Sequence, residues 1–129
     1  MRVIVCGGRD YEDWAHVCAT LNGLAITALA EGGAAGADDL ADQWCSLMPD
    51  VVHHRYNADW SAPCRDDCKP GHRRRRRRGG TYCPAVGNYR NQLMLDDFHP
   101  DLVVAFPGGR GTADMVKRAV AAGVKVVMA

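Results

Sequence analysis

Phe106-Pro107-Gly108-Gly109-Arg110-Gly111-Thr112-Ala113-Asp114 decides how this 129-residue chain is read. The stretch follows an apolar run, Leu102 to Phe106, and leads into a helix-like segment from Thr112 to Ala122. A buried strand, a glycine-rich turn and a helix start, in that order, make a site for an anion. Glycines let the backbone approach a phosphate closely, and the N–H groups of a first helical turn point at it. Pro107 stiffens the exit from the strand, Gly108, Gly109 and Gly111 expose backbone donors, and Thr112 is expected to cap the helix with its hydroxyl. Arg110 either reaches the phosphate or lies in solvent. The bland alternative is a tight turn that merely needs glycine.

Working outward, the rest of the chain alternates in the same way. Arg2 to Cys6 is a continuously apolar run closed by Gly7-Gly8, as expected of a strand covered on both faces. From Tyr11 to Leu24 the apolar residues fall three and four apart, the spacing of an amphipathic helix. Ile26 to Ala30 reads as a second strand, and Ala37 to Leu47 as a helix closed by Pro49-Asp50. Val51 to Tyr56 is a third strand, made weaker by His53, His54 and Arg55. Helical spacing returns from Ala85 or Asn88 to Phe98, with Leu93, Met94 and Phe98 expected inside, and His99-Pro100-Asp101 breaks it. Gly123 fits the position just past a helix end, before a last strand from Val124 to Met128. The pattern predicts an α/β fold, a parallel sheet of about five strands with helices on both faces. A single domain over 1–129 is expected, with an insertion at 61–84 that has no usable periodicity.

In open α/β sheets the loops at the carboxyl ends of the strands line the ligand crevice. Gly7-Gly8-Arg9, Gly32 to Asp38 and Pro107 to Thr112 all fall at such ends. The second loop, with Gly32, Gly33 and Gly36, is neither a P-loop nor a GxGxxG fingerprint. Asp38 or Asp39 is suited to ribose hydroxyls, or simply complements the helix dipole. Asn88-Tyr89-Arg90-Asn91 opens its helix with polar groups: Arg90 suits a phosphate, Asn91 a base or ribose, and surface exposure is the alternative. Trp60 stacks on a base or packs in the core. A nucleotide or another phosphorylated small molecule is the expected guest.

The charge is uneven. The chain carries a net +1, yet Cys64 to Cys83 holds eight basic residues against Asp66 and Asp67, so the remainder is net acidic. No stretch approaches the roughly 20 apolar residues that span a bilayer. Only five residues separate Met1 from Gly7-Gly8, too few for a signal-peptide core, and a cytoplasmic protein is expected. There, six cysteines point to free thiols or metal ligands more than to disulfides. Cys64, Cys68, His72 and Cys83 supply the three thiols and one imidazole of a structural zinc site, with free thiols or a disulfide as alternatives. Cys6, Cys18 and Cys45 read as core residues. The six arginines Arg73 to Arg78 read as a solvated run, or as a non-specific, salt-sensitive contact for nucleic-acid phosphates.

Taken together, Val5 to Tyr11, Gly32 to Asp38, Ala58-Asp59-Trp60, Arg90 to Met94 and Pro107 to Thr112 resemble the YspA/YpsA-related branch of the SLOG superfamily. The resemblance covers nearly the whole chain outside Cys64 to Cys83. It implies a Rossmann-like domain that binds nucleotides or nucleotide-derived ligands, often as a homodimer, with no redox cofactor expected. A more distant similarity is to the LOG phosphoribohydrolases, which cleave the N-glycosidic bond of nucleoside monophosphates. Their PGGxGTxxE motif places its glutamate on Met115 of this chain, which has no acid–base chemistry. Arg90 and Met94 match the Arg-Lys-x-x-Met block, with Asn91 in place of lysine. Arg90, Asp38 and Asp114 are then the candidate catalytic residues, although Asp114 lies about 100° of helix rotation from the matching position.

Overall fold

A computed structural model describes residues 1–129. The elements run β1 (Arg2–Cys6), α1 (Trp14–Asn22), β2 (Ala28–Glu31), α2 (Ala37–Ser46), β3 (Val52–Arg55), β4 (Arg74–Arg75), β5 (Thr81–Tyr82), α3 (Val86–Phe98), β6 (Leu102–Ala105), α4 (Arg110–Ala121) and β7 (Lys125–Met128). Five strands form one parallel sheet in the order β3-β2-β1-β6-β7. The strand order reverses between β1 and β6, so the crevice of this sheet opens at their carboxyl ends.

Alternation along the strands feeds two separate cores. Val3, Val5, Leu29, Leu102 and Val104 face α1 and α2, through Val17, Leu21, Ala41 and Trp44. Ile4, Ala28, Ala30 and Val103 face α3 and α4, through Met94, Leu95, Phe98, Met115 and Ala119. Helices therefore cover both faces, as the uninterrupted apolar runs require. Leu93 is 55% exposed, contrary to expectation; Leu95 takes the inward position instead. Met94 and Phe98 are buried as expected, and positions 91, 94, 95 and 98 make the inward stripe.

The breaks have physical causes. His99 turns left-handed (φ 54°) ahead of Pro100. Arg2 closes the carboxyl end of α3, its guanidinium donating to the Phe98 carbonyl at 2.7 and 2.9 Å and lying 4.2 Å from that ring's centroid. Gly123 (φ +75°) follows α4 as the position past its cap. The polar residues that weakened β3 in the sequence are also accounted for. His53 and Arg55 bind buried Glu31 of β2, and His54 meets the Phe98 ring edge-on at 5.3 Å.

The arginine run is not uniformly a solvated loop. Arg74–Arg75 pairs antiparallel with Thr81–Tyr82 in a small hairpin. Half-buried Arg73 donates to the Ala62 carbonyl at 2.9 Å, to Thr81 Oγ1 at 3.0 Å and to Cys64 Sγ at 3.6 Å. Arg74 to Arg78 are exposed. No helix is long and apolar enough to cross a membrane.

Candidate functional site

The three glycine turns meet at the carboxyl edge of the sheet around a crevice of about 890 Å³. Gly7, Gly8 and Arg9 line it from β1, Gly32 and Asp38 from β2 and α2, and Pro107 to Thr112 from β6 and α4. Trp60, Arg90 and Asn91 line it as well. Gly33 and Gly36 do not, and both have structural work. Gly36 (φ +77°) lies so near the first turn that a β-carbon would sit 2.1 Å from the Gly8 carbonyl oxygen. Gly33 donates its N–H to Glu31.

Two loops are pressed back to back. Gly8 N–H donates to the Pro107 carbonyl at 2.8 Å, and a β-carbon on Gly108 would lie 2.6 Å from Gly8 N. Packing alone therefore requires Gly108. It does not require Gly109 or Gly111, where a β-carbon would meet nothing within 4 Å. Glycine costs a helix up to about 1 kcal/mol relative to alanine, and Gly111 lies inside α4.

The helix starts on this rim are left without side-chain caps. α2 begins after Gly36, α3 after Ala85 and α4 after Gly109, none with a side-chain cap bond. By contrast, α1 is capped by Asp13, which accepts the His16 N–H at 3.0 Å. Thr112 is thus not the cap of α4. Its helix starts two residues earlier, and its side chain packs against Gly108. The N–H groups of Arg110, Gly111 and Thr112 have no intrahelical acceptor.

Arg90 is a partly buried strut. It donates through Nη1 to the carbonyls of Gly32 and Tyr56 and through Nε to Asn91, joining the ends of β2 and β3 to α3, while Nη2 has no partner in the chain. Burial lowers its pKa from the ordinary value, opposed by Asp38. Asn91 is committed on both amide atoms: its oxygen accepts from Arg90, and its nitrogen donates to the Gly111 carbonyl at 3.2 Å and to Asp114 at 3.0 Å. It holds α4 to α3 rather than offering a free edge to a base. Asp114 also accepts from Arg118 at 2.8 Å, and Met115 is fully buried.

Asp38 is the one buried carboxyl on the crevice wall. Desolvation raises its pKa to about 6, aided by the charge of Glu31 and opposed by the Ala34 N–H it accepts. Asp39 is exposed and bonds Gln43. Cys6 lines the same wall with its thiol pushed up to about 12 by burial.

Glu31 was missed in the sequence, where it looked like the first residue of a loop. It is fully buried and accepts from Gly33 N, His53 Nε2 at 2.8 Å and Arg55 Nε at 3.0 Å, and Asp42 flanks the same two bases. The available signal was His53 and Arg55, two apart and so on one face of β3, opposite a lone acid at the end of β2.

The insertion gathers a second constellation. One ligand atom from each of Cys64, Cys68, His72 and Cys83 lies within 4.8 Å of all the others. His72 Nε2 is 3.0 Å from Cys64 Sγ and 3.3 Å from Cys83 Sγ, and Cys68 and Cys83 sulfurs are 3.8 Å apart. That sulfur separation matches the edge of a tetrahedron with metal–sulfur bonds of about 2.3 Å, and is far beyond a disulfide's roughly 2.05 Å. The residues can hold a metal ion. Around them, Tyr89 lies 3.0 Å from Cys68 Sγ and donates to Asp67, tying the cluster to α3 beside Arg90.

Residues 1–62, from β1 through Trp60, match the YspA, cpYpsA-related SLOG family. That match supports SLOG superfamily membership. It ends just before the cysteine insertion, so the metal-type cluster and the glycine-rich wall from β6 to α4 lie outside the matched part. No curated protein matches the chain.

Proposed function

We propose that this protein binds a nucleotide or nucleotide-derived phosphorylated ligand at the carboxyl edge of its sheet, acting as a sensor or binding module. One observation carries this reading. Gly109 and Gly111 leave open space that packing does not require, beside uncapped amide donors of α4. Arg9, Arg90 and Arg110 line the same crevice and supply positive charge. Calorimetric titration with AMP, ADP, ADP-ribose and cyclic dinucleotides tests it. Micromolar binding to at least one, weakened at least tenfold by Arg90→Ala, is expected; nothing tighter than millimolar across the panel overturns it.

The metal of the insertion is proposed to be zinc. Three thiolates and one imidazole fill a tetrahedron with no open position, which suits a structural ion and not a catalytic one. Elemental analysis of protein purified without chelator is expected to give one zinc per chain, and substoichiometric metal overturns it. Further proposals accompany this reading: a homodimer, and a salt-sensitive contact between exposed Arg74 to Arg78 and nucleic-acid phosphates. Replacing those five residues with serine, sparing Arg73, then abolishes retention on nucleic acid and leaves AMP binding intact.

A second reading, glycosidic cleavage of a nucleotide, has Asp38 on its side, because a carboxyl with pKa about 6 in a crevice suits acid–base work. Met115 and the engaged Asp114 weigh against it. Release of free base from nucleoside monophosphates, lost in Asp38→Asn, supports this reading; no turnover at high enzyme concentration removes it.

A further inference from the structure

The crevice does not end at the glycine turns. A second cavity of about 480 Å³ adjoins it, sharing Arg9, Trp60 and Pro84 and adding Arg76 and Tyr82 from the insertion. Trp60 and Tyr82 stand nearly perpendicular, 80° apart with ring centroids 6.1 Å from each other. A planar ring laid on one face therefore meets the edge of the other, both favourable aromatic arrangements. Arg9 lies 5.5 Å from the Trp60 centroid and Arg76 6.0 Å from that of Tyr82. Two aromatic rings with two guanidinium groups suit a nucleobase and the phosphate that leads to it.

The parts are held in position. Trp60 packs against the first turn of α3, where a β-carbon on Gly87 would come within 2.9 Å of its ring. Its carbonyl accepts the Cys83 N–H at 3.2 Å, and Tyr82 directly precedes that cysteine. The cysteine cluster thus fixes the wall that carries Tyr82.

Resting on the binding reading above, we infer that the insertion builds a second subsite for a two-part nucleotide. One half's phosphate lies on the glycine turns and a second nucleobase stacks against the outer side of the Trp60–Tyr82 pair. Arg9, common to both cavities, serves the linking phosphate, and Arg76 flanks the distal ring.

The test compares AMP with diadenosine diphosphate by calorimetry on the full chain. Diadenosine diphosphate is expected to bind at least tenfold more tightly than AMP. Tyr82→Ala is expected to weaken it about 5- to 50-fold, while AMP binding and metal content stay unchanged; Tyr82→Phe restores it and Arg76→Ser reproduces part of the loss. AMP binding with no gain for diadenosine diphosphate, or equal losses for both probes in Tyr82→Ala, overturns the second subsite and leaves the glycine-turn reading standing. Failure of both probes to bind the wild type overturns the glycine-turn reading, and the subsite with it.

Discussion

The glycine rim and the cysteine insertion are two ways of building a wall for the same crevice. The rim is made of main chain. Its turns are fixed by a sheet whose strands are buried on both faces, and the hydrogen bonds it offers are amides left over at helix starts. The insertion has almost no apolar content and is made of side chains converging on a point. The first wall therefore depends on the fold, while the second would depend on the cross-link that a metal held by its four ligands makes. Each of the changes below strikes one wall and spares the other.

The largest effect is expected from metal removal. Chelation, or Cys83→Ser, is expected to take away the proposed centre that draws 64–83 together, and trypsin cleavage within Arg73 to Arg78 should accelerate by about two orders of magnitude or more. Far-ultraviolet circular dichroism should change little, because neither core includes a residue of the insertion. Loss of the sheet signal together with the metal would merge the two regions into one.

On the rim side, Glu31→Ala leaves the Gly33 amide without its acceptor and His53 and Arg55 with Asp42 alone. A cost of about 1–3 kcal/mol is expected from the lost hydrogen bonds, measured by urea unfolding, with metal content unaffected. Asp38→Asn moves in the opposite direction. The pKa of Asp38 is raised in the folded state to about 6, so the proton it keeps stabilises the fold below its unfolded value, and that advantage is lost as pH rises through 6. At pH 7 the asparagine variant should be more stable by about 1–3 kcal/mol. The gap between variant and wild type should close near pH 4, and a pH-independent gap contradicts the assignment.

The smallest stability effect separates the guest from the fold. Gly111→Ala should stabilise α4 by up to about 1 kcal/mol while weakening AMP binding at least tenfold. A variant that is less stable, or that binds normally, shows that this glycine serves packing after all.

The same division explains what was legible in the sequence. The five-stranded sheet and its four helices could be read, because apolar runs such as Leu102 to Phe106 and turns such as Gly7-Gly8 are local signals. The Cys/His set was legible from residue type and spacing. What escaped depends on partners distant in sequence: Glu31 looked like a loop residue until His53 and Arg55 of the next strand were beside it. Gly33 and Gly36 looked identical in kind to Gly109 and Gly111, although the first pair is demanded by close contacts and the second is not. Arg73 read as one of six equal arginines, and only the fold singles it out as the one that braces Cys64. Thr112 sat at a plausible cap position, but the helix begins two residues ahead of it, at Arg110.

The central claim is that free amides of the glycine turns receive the phosphate. Amide chemical-shift mapping during an AMP titration tests it most directly. The largest shifts are expected at Gly109, Arg110, Gly111 and Thr112, with α1 silent. Shifts confined to Arg74 to Arg78, or none at millimolar AMP, contradict it.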